Sequence, residues 1–130
     1  MSVLRMIEGH SEREAPEPGP SAHEILVRRA AEAAVALVFE VDMDALRVAT
    51  RGPAEAAFAR QIAMYLAHVV CGLSLTQVGR AFGRDRTTVA HACSLIEDRR
   101  DEAEFDCTLT HLESAVAALL DATTPRRRVA

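Results

Sequence analysis

Lysine is absent from this chain, and all 15 basic residues are arginines. That absence excludes one class of chemistry. A phosphate-binding loop of the G-x-x-x-x-G-K-[ST] kind needs its lysine at the β- and γ-phosphates, so nucleotide hydrolysis by that route cannot occur. Tryptophan is absent too, and aromatic residues make up only 4% of a chain that is 49% hydrophobic. The core must therefore be aliphatic and rich in alanine, which suits thin helices packed closely. No apolar run reaches the roughly 18 residues that a bilayer-spanning helix needs. The opening stretch MSVLRMIEGHSEREAPEPGPS turns polar and acidic too early for a secretory leader. The 3 cysteines, Cys71, Cys93 and Cys107, form an odd count without framework spacing. Reduced thiols in a cytoplasmic protein are the expectation.

What is present fits one domain with room for tails: 130 residues carrying a net charge of −4. The charge is unevenly spread. Residues 51–100 hold 7 arginines against 4 acidic residues, whereas residues 1–50 hold 5 against 9 and residues 101–130 hold 3 against 6. A basic middle in an acidic chain is a local footprint for an anionic partner, and the local excess matters more than the total.

Residues 1–20 contain 3 of the 5 prolines and little periodicity, so they read as a disordered lead-in. SAHE at 21–24 is a capping box, and behind it Leu26, Ala30, Ala33, Ala34 and Leu37 fall at helical spacing. That predicts a helix to about Phe39. VDMDALRV at 41–48 reads as a turn and a short helix capped by Asp42 or Asp44, and Pro53 suits the first position of the next helix. Phe58, Ile62, Tyr65, Leu66 and Val69 then form one stripe, with Gly72 as the stop. Ser74 and Gln77 make a second capping box for a helix with Leu75, Val78 and Phe82 inward, ended by Gly83. Asp85 caps a helix whose inner face is Val89, Ala92, Cys93 and Ile96. A last helix over roughly 102–121 buries Phe105, Leu109, Leu112, Val116 and Leu119 or Leu120. No segment alternates as a strand would. The predicted fold class is all-α, a compact domain of about six helices spanning 21–122, with a flexible basic tail at 123–130.

The two short helices within 74–100, separated by a glycine-containing turn, have a helix-turn-helix outline. In that motif the first turn of the second helix enters the major groove. Here the turn carries Arg84, Asp85, Arg86, Thr87 and Thr88. Arginine can donate a bidentate pair to guanine, aspartate can accept from cytosine N4, and threonine offers a methyl to thymine or a hydroxyl to phosphate. The same residues would also serve as a capped, solvated helix start. Spacing alone leaves both readings open.

The stretch RQIAMYLAHVVCGLSLTQVGRAFGRDRTTVAHACSLIED, residues 60–98, resembles the C-terminal DNA-binding domain of the bacterial replication initiator DnaA, most closely in FGRDRTTVAHA. A looser similarity reaches back to VALVFEVDMDALR at 35–47. The resemblance implies that Asp85, Arg86, Thr87 and Thr88 occupy major-groove reading positions. It implies backbone contacts near Arg60 and Gln61, duplex contact by Leu75 and Thr76, and a minor-groove arginine at Arg51. His68 stands where the family has a backbone-contacting lysine. Arg86 replaces the family's histidine and should favour guanine, while Ser94 and Leu95 replace basic residues. These changes weaken the sequence-independent phosphate attraction and imply a related or different target site.

The family's ATPase module is not in this sequence, which points to a stand-alone reader of double-stranded DNA with no nucleotide, cofactor or membrane partner and no enzymatic activity. The expected role is transcriptional regulation, at a phage-derived or gene-transfer locus, by a cytoplasmic, nucleoid-associated protein. RNA polymerase or another regulatory protein is the candidate second partner. The alternatives are a replication modulator competing for initiator sites and a protein-interaction adaptor that has lost DNA binding. His91, Cys93, Cys107 and His111 invite a zinc reading, but residues at i and i+2 diverge on a helix and Cys93 belongs to the apolar stripe. Packing and an interhelical hydrogen bond are the preferred account, and no metal site is assigned. The acidic stretches 8–17 and 97–106 read as solvated faces.

Overall fold

The computed structural model describes residues 18–40 and 54–123. Five helices occupy them: α1 (Ala22–Phe39), α2 (Ala54–Val69), α3 (Leu75–Phe82), α4 (Arg86–Arg99) and α5 (Ala103–Thr123). No strand occurs among the described residues, and no helix among them is long and apolar enough to cross a membrane. The fold is all-α. The expected short helix at 41–48, Pro53 and the segments 1–17 and 124–130 lie outside the described residues. Thr123 is still helical, one residue into the stretch expected as tail.

Both capping boxes form as the sequence predicts. Ser21 Oγ accepts from the Glu24 N–H at 3.1 Å, and the Ser21 N–H donates to Glu24 Oε1 at 3.1 Å. Ser74 and Gln77 repeat the arrangement at the start of α3, with 3.1 and 2.8 Å bonds. Each box satisfies backbone donors that the first turn of a helix leaves without partners. Gly83 ends α3 in the left-handed conformation, a role that glycine fills without a Cβ clash.

Alanine lets α2 become the central element. Ala56, Ala59, Ile62, Ala63, Met64, Tyr65, Leu66 and Ala67 are all buried, so it is enclosed on most of its circumference. It packs chiefly on α1 and α4, while α5 packs mainly on α1. The inner residues of α4 and α5 are as predicted: Val89, Ala92 and Ile96, then Phe105, Leu109, Leu112 and Val116. Each large aliphatic side chain among them contributes about 1.5–3 kcal/mol on burial. Leu120, not Leu119, packs against the core, and Cys93 lies at its edge.

The residues read at helical spacing in α1 divide: Ala34 is buried, Leu26, Ala30 and Ala33 are half-buried, and Leu37 is exposed. Val27, Ala31, Ala34 and Val35 point inward, together with the charged Glu24 and Glu32, whereas Leu37 is 81% exposed. Alanine at so many positions offers two apolar stripes of similar strength. The buried one was obscured by its glutamates. At the end of the predicted α2 stripe, Val69 is exposed rather than inward.

Gly79 fixes how closely α3 approaches the following turn. A Cβ built there would lie 2.5 Å from the Arg84 carbonyl oxygen, a backbone atom that cannot swing aside. The Gly79 carbonyl in turn accepts from the Gly83 and Arg84 N–H groups. Gly79→Ala should therefore destabilise the domain by about 1–3 kcal/mol, the usual cost of over-packing. Urea unfolding of the variant beside the parent chain measures it, and an unchanged midpoint would contradict the close approach.

Candidate nucleic-acid interface

Two contacts made by charged side chains seat α3 on α1. Glu24 is 3% exposed, and Arg80 grips it from α3 with Nε–Oε1 at 3.0 Å and Nη2–Oε2 at 2.9 Å. One carboxylate thus closes the α1 capping box and receives a bidentate guanidinium. Four residues on, Arg28 donates through Nη1 to the Ala81 carbonyl at 3.0 Å, near the C-terminal end of α3 where carbonyls lack helical partners.

The far end of α4 is fixed by a polar knot around Arg100. Its guanidinium reaches Asp106 at 2.6 Å, Glu113 at 2.8 Å and the Tyr65 hydroxyl at 3.1 Å. The Glu113 carboxylate in first place, with Asp106 and Tyr65, raises its pKa further above the ordinary arginine range despite its burial. Tyr65 donates to Glu97 Oε2 at 2.9 Å, and burial holds its phenol above the usual pKa. Arg99 lies over the Phe58 ring at 4.9 Å from its centroid. With the Gly79–Gly83 turn at one end and this knot at the other, α4 is positioned along its whole length.

That leaves the first turn of α4 facing outward. Asp85, Arg86, Thr87 and Thr88 are all exposed, while Val89 behind them is fully buried. Asp85 holds the N-cap position, but its carboxylate makes no capping hydrogen bond. The sequence reading of Asp85 as a cap is therefore correct in place and not in bonding. Uncapped N–H groups at the start of a helix, beside exposed arginines, favour an anion. Arg84 is half-buried and makes long contacts to the Phe82 and Gly83 carbonyls at 3.4 and 3.3 Å. Thr76, Gly79, Arg80, Gly83, Arg84, Asp85 and Arg86 line one open depression together with Pro18. Its charged residues are three arginines and one aspartate.

The remaining predicted contacts divide. Thr76 is exposed beside this depression, and Leu75 is half-buried against the core. Gln61 is half-buried on α2. Arg60 is 7% exposed, which takes it away from the surface position expected of a backbone contact. Burial first, and then neighbouring Arg84, lower the Arg60 pKa, while Glu32 opposes them. His68 is half-buried, and its Nδ1 lies 2.7 Å from the Leu73 carbonyl, tying the end of α2 to the approach to α3. Arg51 lies outside the described residues. Cys107 and His111 share an exposed face at 3.9 Å, and no group of three metal-ligating side chains occurs among the described residues.

Two residues of the site were missed from sequence, Gly79 and Arg80. Glycine inside a predicted helix was the available signal for the first. The second is the only basic residue in LTQVGRAF.

Comparison with known proteins places this geometry among relatives. The family model described as bacterial DnaA protein helix-turn-helix matches residues 30–96. The chromosomal replication initiator protein DnaA of Bifidobacterium animalis subsp. lactis is 42% identical over 73 residues, which is 55% of this chain and 12% of that protein. The corresponding protein of Bordetella pertussis is 47% identical over 68 residues, 51% of this chain and 14% of its own length. The chain thus spans only a small part of the curated relatives it matches. A crystal structure of a DNA replication initiation factor superposes with a TM-score of 0.64 at 31% identity, covering 73% of this chain and 29% of that one.

Because Glu24 holds α3 in place, the interface should loosen in acid. The Arg80 guanidinium lowers the Glu24 pKa from 4.5 to about 2. A carboxyl depressed in the folded state stabilises above its unfolded pKa, and that contribution fades as pH falls from about 4.5 toward about 2. Thermal unfolding of the parent chain and Glu24→Gln should differ at about pH 6 and converge near about pH 2. A difference independent of pH would remove the ionised carboxylate from this role.

Proposed function

The chain belongs to the bacterial DnaA helix-turn-helix family, and from that premise we propose that it is a sequence-specific double-stranded DNA-binding protein. Its reading head is the first turn of α4. The observation that carries this reading is the exposure of Asp85, Arg86, Thr87 and Thr88 in one turn, with the Asp85 carboxylate uncommitted to capping. In the major groove Arg86 would donate to guanine O6 and N7, Asp85 would accept from cytosine N4, and the threonines would touch a thymine methyl or a phosphate. Thr76 and Arg84, which line the same depression, flank the duplex backbone, with Leu75 and Gln61 at the edge and Arg51 reaching the adjacent minor groove.

Arg60 and His68 take a different part in this reading. Arg60 is buried and feels the charge of Arg84, and His68 holds the approach to α3, so both support the head from inside. Fewer surface cations then share the phosphate contacts, and a larger fraction of affinity falls on base readout. The cellular role that follows is transcriptional regulation by a nucleoid-associated protein, with RNA polymerase or another regulator as its second partner. The matched relatives are chromosomal replication initiators, which supports a second reading, occupation of initiator sites. The preferred duplex separates the two readings.

Titration of fluorescent duplexes selected from genomic fragments, at several salt concentrations, tests the proposal. Saturable binding that weakens with salt is expected. Arg86→Ala should lose about 1–3 kcal/mol on the preferred site and relax one base position. Thr88→Ala should weaken binding across sequences. Absence of binding even at low salt would overturn the proposal, and an Arg86→Ala variant that binds every site normally would overturn the assigned head.

A further inference from the structure

The outer face of α1 carries a second apolar stripe that the fold leaves uncovered in part. His23, Leu26, Ala30, Ala33, Leu37 and Glu40 alternate at spacings of three and four residues, the repeat of a helix-pairing seam. At 100° per residue His23, Leu26, Ala30, Ala33 and Leu37 fall within about 80° of one another, and Glu40, the left-handed C-cap, follows at their end. Leu26, Ala30 and Ala33 are half-buried, Leu37 is 81% exposed, and His23 and Glu40 are exposed at the two ends. Neither Leu26 nor Leu37 packs against the hydrophobic core. The position of Leu37 is costly in water, and none of the described helices covers it.

The order of these residues is self-complementary. Read in the opposite direction about the midpoint between Ala30 and Ala33, Leu26 falls opposite Leu37, Ala30 opposite Ala33 and His23 opposite Glu40. A two-fold contact requires this kind of match, in which residue i meets j and j meets i. The central alanines allow the helices to approach closely, the leucines close the seam on either side, and each end pairs an imidazole donor with a carboxylate. A parallel pairing would set Glu40 against Glu40, which costs free energy. We infer that this chain forms a two-fold dimer through the Leu26–Ala30–Ala33–Leu37 stripe of α1, laid antiparallel on the same stripe of a second copy.

The seam lies away from the helix-turn-helix. Glu24 and Arg28, which hold α3, are about 150–170° around α1 from its centre. The dimer therefore leaves both α4 first turns uncovered and directs them outward on opposite sides. Such an arrangement holds two duplex segments side by side rather than one inverted repeat. This last consequence rests on the DNA-binding reading, whereas the self-association does not.

Sedimentation equilibrium of the full chain without DNA tests the dimer. A monomer–dimer equilibrium is expected, with Leu37→Glu weakening association by about tenfold or more, the effect of about 1.4 kcal/mol. Leu37 is so exposed that this variant should fold as the parent does, which its far-ultraviolet circular dichroism and melting check. In a background with Cys71, Cys93 and Cys107 replaced by serine, mixing Ala30→Cys with Ala33→Cys should give oxidised heterodimer in excess over either homodimer. A chain that stays monomeric at every concentration overturns the dimer, and excess homodimer overturns the antiparallel register. A bridging assay, in which immobilised duplex captures a second labelled duplex, should succeed with the parent and fail with Leu37→Glu. Failure of bridging by a dimer that binds single duplexes would overturn the outward heads, whereas failure of single-duplex binding would bear on the DNA reading alone.

Discussion

The grip of Arg80 on Glu24 is the contact on which the placement of the helix-turn-helix depends. A helix of eight residues cannot hold itself in position, since isolated helices of that length are marginal in water. For α3 the deficit is met from outside, by the bidentate ion pair to α1 and by the Arg28 bond to the Ala81 carbonyl. Removing one partner of such a pair leaves a buried charge uncompensated, so the cost of losing it exceeds the gain of having it. The grip acts on orientation more than on total stability. Val78 and Phe82 supply the apolar burial, and the charges select which way α3 faces while doing so.

Much of this was legible in the sequence, for reasons that vary by element. The capping boxes at Ser21 and Ser74, the stop at Gly83 and the inner face of α4 were readable because short polar signals bracket each apolar run. The face of α1 was not. Its buried side includes Glu24 and Glu32, and hydrophobic periodicity counts a glutamate as outward. Arg80, more than fifty residues on, compensates Glu24, and Arg28 in the same helix is one of the partners of Glu32. Long-range pairing of that kind leaves no trace in local spacing. The stripe read instead, Leu26 to Leu37, is a real amphipathic pattern with a different destination.

The candidate site divides along the same line. Residues read as outward from their place in the first turn of α4 are exposed, because the inner positions Val89, Ala92 and Ile96 fix the rotation of the helix. Residues assigned by resemblance on α2 fare differently. Arg60 lies on a helix buried around most of its circumference and goes inward with it, and His68 is drawn to the Leu73 carbonyl.

Arg60 and Arg84 show how interior and surface are coupled at the reading head. Burial first, and then the charge of the more exposed Arg84, lower the pKa of the buried Arg60. Glu32, 1% exposed, offsets part of that charge from below. The Arg60 Nη1 has no hydrogen-bond partner among the described residues. The field at the turn therefore comes from inside the protein as well as from the surface. Such a field is screened less by salt than one built from exposed side chains. A chain with a net charge of −4 can in this way hold a local positive field at one turn of one helix.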